Sequence, residues 1–260
     1  MPHKARKRFG QNFLVDNNII DKIVTAINPK KDDTLIEIGP GQGALTDPLL
    51  QKCPSLNVVE LDKDLIPRLR VQFFNYPEFT IHEGDALKFD FTTLVKDNKP
   101  LRIVGNLPYN ISTPLMFHLL SYGTAVKDMH FMLQKEVVDR LTAAPGEKAY
   151  GRLGIMVQYY CKTTPLVHVP PTAFRPMPKV DSAVVRLEPR AEIKNPAHNI
   201  ELLKKLVNAC FQQRRKTLRN TLKHFVDSDK LNGLNIDINL RPEKLSVNDF
   251  VNLSNEIDQL

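Results

Sequence analysis

The sequence predicts a doubly wound α/β sheet that is followed by a small C-terminal helical domain. Apolar runs of strand length alternate with stretches in which apolar residues recur at helical spacing, which is the pattern of a parallel sheet with crossover helices. A glycine-rich turn, Gly39–Gly43, comes directly after one of these apolar runs. Beyond residue 190 only the helical period remains. The α/β class therefore rests on the alternation, and the second domain rests on the change of period.

The first elements are predicted in order from the hydrophobic pattern. Asn17–Ile27 has isoleucine and valine side chains at a period of 3.6, which predicts an amphipathic helix. Three strands are then predicted at Thr34–Ile38, Asn57–Leu61 and Phe79–His82, with helices between them that end near Leu50 and Phe74. Because parallel strands need long crossover connections, this spacing favours a parallel sheet.

The next elements extend the same sheet. Leu101–Val104 and Lys127–Leu133 predict the fourth and fifth strands, and a helix is expected to begin with Thr113 as N-cap and Pro114 at the first helical position. Two more helices and a terminal strand pair follow. They are a helix from Gln134 to Ala144, a helix around Gly154–Lys162, and an antiparallel edge hairpin at Ser182–Leu187 after the proline-rich stretch Val169–Pro178.

The chain is predicted to divide into two domains. Residues 188–196 lose the hydrophobic pattern and are interpreted as a linker. Beyond them, helical spacing is shown by Leu202, Leu203, Leu206, Val207, Cys210 and Phe211. We therefore expect a sheet domain with a basic N-terminal segment over residues 1–190 and a small helical domain over residues 191–260, which suits a chain of 260 residues.

Composition narrows the function classes. The chain carries 36 Lys and Arg against 29 Asp and Glu, a net charge of +7 that favours a polyanionic partner such as nucleic acid without proving one. Cys53, Cys161 and Cys210 are far apart and form no C-x-x-C pair, which indicates reduced thiols, and the histidines are scattered, so no metal site is expected. No stretch has the length of a membrane span, and the start lacks the apolar core of a signal peptide. A cytoplasmic protein is expected.

The glycine-rich turn is the first candidate for ligand binding. Ligands of parallel α/β sheets bind beyond the carboxyl ends of the strands. Gly39 and Gly41 would let a ligand touch the backbone, since a Cβ would hold it away, and together with Ala44 they fit the G-x-G-x-x-(G/A) pattern of dinucleotide sites. The alternative is a tight strand–helix turn without a ligand.

Carboxylates follow the next two predicted strands. Glu60 ends the second strand about 20 residues after the glycines, where a carboxylate can accept both hydroxyls of a ribose. Its alternative role is that of a solvated acid at a strand end. Asp85, followed by Ala86, comes after the third strand and can accept from an adenine amino group. An adenosine-bearing ligand is therefore expected, and both a nicotinamide dinucleotide and S-adenosylmethionine satisfy these residues.

The end of the fourth strand carries the sequence Asn106-Leu107-Pro108-Tyr109. The exocyclic N6 of adenine is a poor nucleophile because its lone pair is delocalised into the ring. Two acceptors held against its N–H bonds would draw it toward tetrahedral geometry and aim the lone pair at a sulfonium methyl group. Asn106 can offer its side-chain oxygen, Leu107 is held extended by Pro108, and Tyr109 can stack on a flipped base. These residue types indicate methyl transfer to an amino group.

The motifs of the chain resemble those of a known family. Asn-Leu-Pro-Tyr resembles the (D/N)-P-P-Y motif of amino-group methyltransferases. Taken with KRFGQNFL, EIGPGQG, VVELD, GDAL, GNLPYNIST, FRPMPKVDSAVV and CFQQRRKTLRN, the chain resembles the KsgA-type ribosomal RNA adenine dimethyltransferases over nearly its whole length. The resemblance implies a Rossmann-like class I methyltransferase sheet and S-adenosylmethionine as the cofactor. A dehydrogenase would not explain the last three motifs.

The resemblance also implies roles for individual residues. Contacts with the methyl donor are expected at Asn12, Leu14, Gly39, Gly41, Glu60, Asp85, Ala86 and Asn106. For Asn12 and Leu14 this means that the N-terminal segment folds over the cofactor. Phe174 is expected to be a second aromatic residue opposite Tyr109 across the target adenine. Its alternative role is that of a core aromatic in a proline-stiffened loop.

Two basic runs are candidates for contact with RNA phosphates. They comprise Lys4, Arg6, Lys7 and Arg8 at the start of the chain, and Arg214, Arg215, Lys216, Arg219 and Lys223 in the helical tail. Either run alone can be a solvated surface. Together, on a net-basic chain, they favour phosphate contacts that position the RNA without reading its bases.

The resemblance implies a specific reaction and partner. We expect dimethylation of N6 on two adjacent adenosines in a hairpin loop near the 3′ end of small-subunit ribosomal RNA, within a pre-assembled subunit and linked to its biogenesis, by a monomer. One alternative is the related large-subunit adenine methylase that confers antibiotic resistance. Another is an RNA-binding assembly factor in which methylation is secondary.

Overall fold

The computed structural model describes residues 12–108, 111–213 and 215–260. Some predicted site residues lie outside the described residues, namely Lys4, Arg6, Lys7, Arg8, Tyr109 and Arg214. The same holds for residues 7–11, the first part of the KRFGQNFL motif. The chain forms two compact units. The first runs to Val138 and resumes at Lys162–Ala191, and the second consists of Asp139–Cys161 and Glu192–Leu260.

The first unit is built on a twisted sheet. In chain order the strands are Phe13–Leu14 (β1), Thr34–Ile38 (β2), Asn57–Glu60 (β3), Thr80–Glu83 (β4), Leu101–Asn106 (β5), Val126–Gln134 (β6), Cys161–Val169 (β7), Phe174–Arg175 (β8) and Ser182–Pro189 (β9). Within the described residues, seven of them form one sheet in the order β4-β3-β2-β5-β6-β9-β7, and β1 pairs with β8. The strands β4, β3, β2, β5 and β6 run parallel to one another, and β9 is antiparallel to β6.

The helices connect these strands and build the second unit. They are Asn17–Ile27 (α1), Thr46–Lys52 (α2), Ile66–Gln72 (α3), Ser112–Leu120 (α4), Lys135–Thr142 (α5), Arg152–Tyr160 (α6), Ile200–Gln212 (α7), Leu218–Leu222 (α8) and Val247–Asp258 (α9). The predicted α/β class with a C-terminal helical part is confirmed. Among the described helices, none combines the length and apolar character needed to cross a bilayer.

Two predicted elements were wrong in detail. The helix around Gly154–Lys162 ends at Tyr160, and Cys161–Val169 continues as β7, the edge strand, so Ser182–Pro189 lies one strand inside the edge. Strand β7 contains Pro165, which is tolerated because an edge strand has one unpaired side. The helix predicted to begin at Thr113 begins at Ser112, with Ile111 in the N-cap position, so Pro114 lies within the first turn.

A buried ion network holds the amino-terminal end of the sheet. The Arg102 guanidinium on β5 donates to both carboxylate oxygens of Asp128 on β6, at 3.0 to 3.2 Å, and to Asp33 Oδ2 at 2.6 Å. It also donates to the Ile27 carbonyl at the end of α1 at 2.7 Å. Because these hydrogen bonds are charge-assisted and the side chain of Arg102 is only 7% exposed, removing Arg102 would leave two largely buried carboxylates without their cation.

The second unit includes a segment that the sequence assigned to the sheet domain. The buried Tyr150 hydroxyl donates to the Leu245 carbonyl at 2.8 Å, and Gln158 on α6 donates to the Leu141 carbonyl at 3.0 Å. The expected linker is partly structured, because Asn195 donates to Asn252 and the His198 backbone donates to Asn255, both at 2.8 Å on α9. The division of the chain between residues 190 and 191 stays a prediction.

Candidate active site

The carboxyl ends of β2, β3 and β5 surround one cleft in the first unit. It encloses about 760 Å³ with its open mouth included. Its lining residues include most of the predicted donor contacts, namely Asn12, Leu14, Gly39, Gly41, Glu60 and Asn106, together with Leu107 and Pro108 of the Asn-Leu-Pro-Tyr motif. The cleft lies where parallel α/β sheets bind ligands.

The glycine-rich turn after β2 has a backbone that favours glycine. Gly39, Gly41 and Gly43 have φ of +67°, +59° and +86°, all in the left-handed region. The Gly39 N–H donates to the Val59 carbonyl at 2.9 Å, which holds the turn against the end of β3. No atom lies within 4 Å of the place where a Cβ of Gly39 would stand, so a ligand can approach this backbone closely.

Two buried carboxyl groups face the cleft. Glu60 at the end of β3 is 6% exposed, and its Oε1 accepts from the Asp62 N–H at 2.7 Å. Burial raises its pKa, against backbone hydrogen bonds from Asp62 and Gly41 that lower it. Glu37 on β2 is 2% exposed, and burial raises its pKa to about 7, against a hydrogen bond from Thr46 that lowers it. Such a pair suits a ligand with positive charge.

Glu37 is a functional candidate that the sequence analysis missed. In the sequence it is the first residue of the motif EIGPGQG. The signal available in the sequence was an acid at an interior position of a buried strand, which is unusual unless the acid is paired or functional.

The structure places Asn106 beside the glycine-rich turn. Ile38 and Gly105 are register partners in the pairing of β2 with β5, so the residues that follow them are neighbours. A Cβ on Gly105 would lie 2.7 Å from the Ile38 carbonyl oxygen, and this close approach requires glycine. Asn106 Nδ2 donates to the Asn12 carbonyl at 3.2 Å, which leaves Oδ1 as the atom of this side chain that can accept from a ligand.

Backbone hydrogen bonds hold the chain on both sides of Pro108. The Leu107 N–H donates to the Met132 carbonyl of β6 at 3.2 Å, and the Ile111 N–H donates to the Pro108 carbonyl at 3.2 Å. Leu107 is 1% exposed. The turn is therefore anchored to the sheet before Pro108 and to the start of α4 after it.

Asp85 lies beside the cleft and not among its lining residues. The Gly84 N–H donates to the Glu60 carbonyl at 3.0 Å, which brings the Asp85 turn next to the end of β3. Asp85 is half-buried, its Oδ1 accepts from the Leu87 N–H at 3.0 Å, and Ala86 is buried. Contact of Asp85 and Ala86 with the donor stays a prediction.

The first described residues, Asn12 to Leu14, line the cleft. Strand β1 pairs with β8 so that Leu14 lies opposite Phe174, and the Val15 N–H donates to the Ala173 carbonyl at 2.8 Å. The ring of Phe174 is 1% exposed and belongs to the same hydrophobic cluster as Leu14. This position matches the alternative of a core aromatic. A stacking role for Phe174 requires its ring to become accessible and stays a prediction.

The basic residues of the tail differ in their surroundings. Arg215, Lys216 and Lys223 are exposed. Arg219 is half-buried, and its guanidinium donates to Asn232 Oδ1 at 3.3 Å. Exposure alone does not show contact with RNA, so that contact stays a prediction. No cluster of three or more metal-ligating side chains occurs in the part of the chain that the structure describes.

Comparisons with known proteins give a consistent result. The family described as ribosomal RNA adenine dimethylase matches residues 2–259. Relatives named ribosomal RNA small subunit methyltransferase A include one from Marinobacter nauticus, 61% identical over 97% of this chain and 91% of the relative. Another, from a Marinomonas species, is 57% identical over 98% of this chain and 96% of the relative.

Solved structures share the fold over nearly the whole chain. A dimethyladenosine transferase from Plasmodium falciparum is 30% identical with a TM-score of 0.78, covering 95% of this chain and 98% of that one. The 23S rRNA methyltransferase ErmE has a TM-score of 0.76 and covers 95% of this chain and 100% of its own. At 24% identity, that second likeness shows the fold alone.

Proposed function

This chain belongs to the ribosomal RNA adenine dimethylase family, and we propose that it dimethylates N6 of two adjacent adenosines near the 3′ end of small-subunit ribosomal RNA. The resemblance found in the sequence is confirmed at the level of the family. The small-subunit substrate is supported by relatives of 57% and 61% identity whose names specify that subunit. The likeness to the large-subunit enzyme concerns the fold, and it does not favour the antibiotic-resistance alternative.

S-adenosylmethionine is the methyl donor of this family, and the cleft fits it. The open approach to Gly39 accommodates a ligand against the backbone, and Glu60 stands where ribose hydroxyls can donate to its carboxylate. Buried Glu37 and Glu60 favour a ligand that carries positive charge. When bound, the donor supplies an electrophilic methyl group on a positively charged sulfur.

The sequence from Asn106 to Tyr109, which we call the catalytic turn, prepares the adenine amino group for methylation. Asn106 Oδ1 accepts from one N6–H, and a carbonyl of the turn, at Leu107 before Pro108, accepts from the other. These two acceptors draw the nitrogen toward tetrahedral geometry, so that its lone pair faces the methyl group. Tyr109 stacks on the base, with Phe174 opposite when its ring is accessible. The proton released from N6 passes to water.

One observation carries this proposal. Asn106 and the glycine-rich turn follow register partners of adjacent strands, so the amino-group motif and the donor-binding motif open into one cleft. A dinucleotide-binding enzyme would not need the two acceptors at the end of β5, which are the Asn106 side-chain oxygen and the Leu107 carbonyl oxygen. The reaction class follows from that juxtaposition, and the subunit follows from the relatives.

The setting of the reaction is also part of the proposal. A basic tail that contacts phosphates would position the enzyme on RNA that is already folded, so the substrate is a pre-assembled small subunit and not naked RNA. The enzyme acts as a monomer in the cytoplasm, where the subunits are assembled. The modification then marks a stage of small-subunit biogenesis.

Mapping of methyl groups tests the proposal. Purified protein and labelled S-adenosylmethionine are incubated with unmethylated small subunits, with large subunits and with deproteinised RNA, and nuclease fragments are weighed by mass spectrometry. We expect two methyl groups on each of two adjacent adenosines in the small subunit, and far slower methylation with Asn106→Ala. Methylation of the large subunit would contradict the substrate, and equal methylation of naked RNA would contradict the assembly state.

A further inference from the structure

Two side chains near the end of α4 meet at one backbone carbonyl. His118 Nε2 lies 3.1 Å from the Phe89 carbonyl oxygen, and the Tyr122 hydroxyl donates to the same oxygen at 3.2 Å. The two side chains also lie 3.3 Å apart, and they are four residues apart along the chain. A carbonyl oxygen has two lone pairs, so it can accept from both when His118 is protonated at Nε2.

Phe89 closes the turn that presents Asp85. The Phe89 and Lys88 N–H groups both donate to the Asp85 carbonyl at 2.9 Å, and the Leu87 N–H donates to the Asp85 side chain at 3.0 Å. The turn therefore behaves as one hydrogen-bonded piece. Its first residue is Asp85, and its last carbonyl is held by α4.

An aromatic cluster makes this attachment firm. The rings of Phe89 and Phe91 lie 5.0 Å apart in an edge-to-face arrangement, and Phe91 is fully buried. The Phe91 ring contacts both His118 and Tyr122, with ring centres 6.1 Å apart in each case. Aromatic pairs of this kind stabilise a structure by more than the area that they bury, so they support the positions of both polar side chains.

The other end of α4 begins at the catalytic turn. Ile111 donates to the Pro108 carbonyl, and the Leu115 N–H donates to the Ile111 carbonyl at 3.0 Å. At about 1.5 Å per residue, the helix from Ser112 to Leu120 is roughly 12 Å long, and Tyr122 lies two residues beyond its end. One short helix thus joins the turn that carries Asn106 to the turn that carries Asp85.

We infer that His118 and Tyr122 are positioning residues for the methyl donor, because they hold the Asp85 turn at a set distance from the catalytic turn. The inference rests on the proposed function in one respect, which is that Asp85 contacts the adenine of the donor. Neither side chain lines the cleft. They act through the Phe89 carbonyl, and their loss lets the Asp85 turn move away from the end of β3.

Donor affinity in the absence of RNA tests the inference. We measure the dissociation constant of S-adenosylmethionine by calorimetry for wild type, Tyr122→Phe, His118→Leu and the double variant. Two lost hydrogen bonds of ordinary strength predict a rise of about tenfold in the double variant, with smaller rises in the singles. His118→Gln keeps a donor near Phe89 and should recover part of the loss.

Two control variants make the result interpretable. Asp128→Asn weakens the Arg102 network at the opposite end of the sheet, so it should lower the melting temperature without changing donor affinity. If it raises the dissociation constant as much as the double variant does, or if the folded double variant binds the donor normally, the inference is overturned. Asp85→Ala checks the premise separately, since normal donor binding in that variant removes the contact through which His118 and Tyr122 would act and overturns the inference. Methyl transfer through Asn106 is tested by the mapping experiment and is not affected by that result.

Discussion

The Thr46 hydroxyl donates a 2.6 Å hydrogen bond to Glu37 Oε2, inside a cleft where Glu37 is 2% exposed. This bond joins the start of α2 to β2 and orients an acid that burial, together with the charge of nearby Glu60, protonates more readily than usual. With a pKa of about 7, Glu37 changes charge within the physiological range. Four of the predictions below concern residues of this cleft.

Donor affinity should depend on the charge of Glu37. A cationic donor favours the ionised carboxylate, so we expect its dissociation constant to fall as the pH rises from 6 to 8, through the pKa of about 7. The neutral sulfur of the product S-adenosylhomocysteine should show a weaker dependence. Calorimetry over this pH range checks the trend, and Glu37→Gln should remove it. A pH profile that is the same in wild type and variant would exclude Glu37 from donor binding.

Ionisation of Glu37 should also make the ligand-free protein less stable as the pH rises, whereas it strengthens donor binding. Because the folded pKa of Glu37 is raised above its unfolded value of 4.5, its contribution is fully present below pH 4.5 and is lost as the pH rises through about 7. Glu37→Gln should therefore gain stability relative to wild type between pH 5 and pH 8, as measured by denaturant unfolding.

Asn106→Ala should reduce methyl transfer far more than donor binding. The side chain offers one acceptor that is aligned with N6 in the transition state, and such a deletion typically costs about 10² to 10³ in rate. Single-turnover kinetics with saturating RNA measure this directly. Near-normal turnover in the variant would remove Asn106 from the mechanism.

Glu60→Ala should have the reverse effect. In the proposed mechanism its carboxylate binds the part of the donor that does not react, so the dissociation constant of the donor should rise while the rate at saturating donor changes little. Glu60→Gln keeps an acceptor at the same place and should lose less affinity. Unchanged donor affinity in Glu60→Ala would show that the end of β3 does not bind the ribose.

Neutralising Arg214, Arg215 and Arg219 together should weaken binding to the small subunit and flatten its salt dependence. Each lost phosphate contact removes about 0.7 to 0.9 from the slope of log K against log salt. A matched variant that neutralises Lys194, Lys205 and Arg241, which are exposed elsewhere in the same unit, removes equal charge. If both triple variants keep the wild-type slope, the tail arginines are a solvated surface.

Acid should destabilise the protein partly through His130. Both ring nitrogens are buried without a hydrogen-bond partner among the described residues, and burial lowers its pKa to about 4 despite Asp128 at 3.7 Å. The unfolded state therefore binds the proton more readily, and stability falls as the pH drops from 6.5 toward 4. Denaturant unfolding of His130→Leu should show a flatter profile over this window, and an unchanged profile would contradict the assignment.

The local pattern of the sequence was sufficient for the parallel strands and for α1. Thr34–Ile38 and Asn17–Ile27 have the same limits in the structure as in the prediction, because their periods and their flanking turns agree with the core that they face. The motif residues at Gly39, Glu60 and Asn106 could also be placed, since the ends of parallel strands meet at one edge of a sheet.

Other features depend on contacts between segments that are distant in the chain. Cys161–Val169 becomes a strand because β9 offers it a free edge, although its own sequence contains a proline. Phe174 is buried because β8 pairs with β1, more than 150 residues earlier in the chain. The pKa of Glu37 and the attachment of the Asp85 turn to α4 likewise arise from neighbours that no local pattern specifies. The hydrophobic period of a segment predicts which of its faces is apolar. The residues that this face contacts depend on the tertiary structure, because they come from distant parts of the chain.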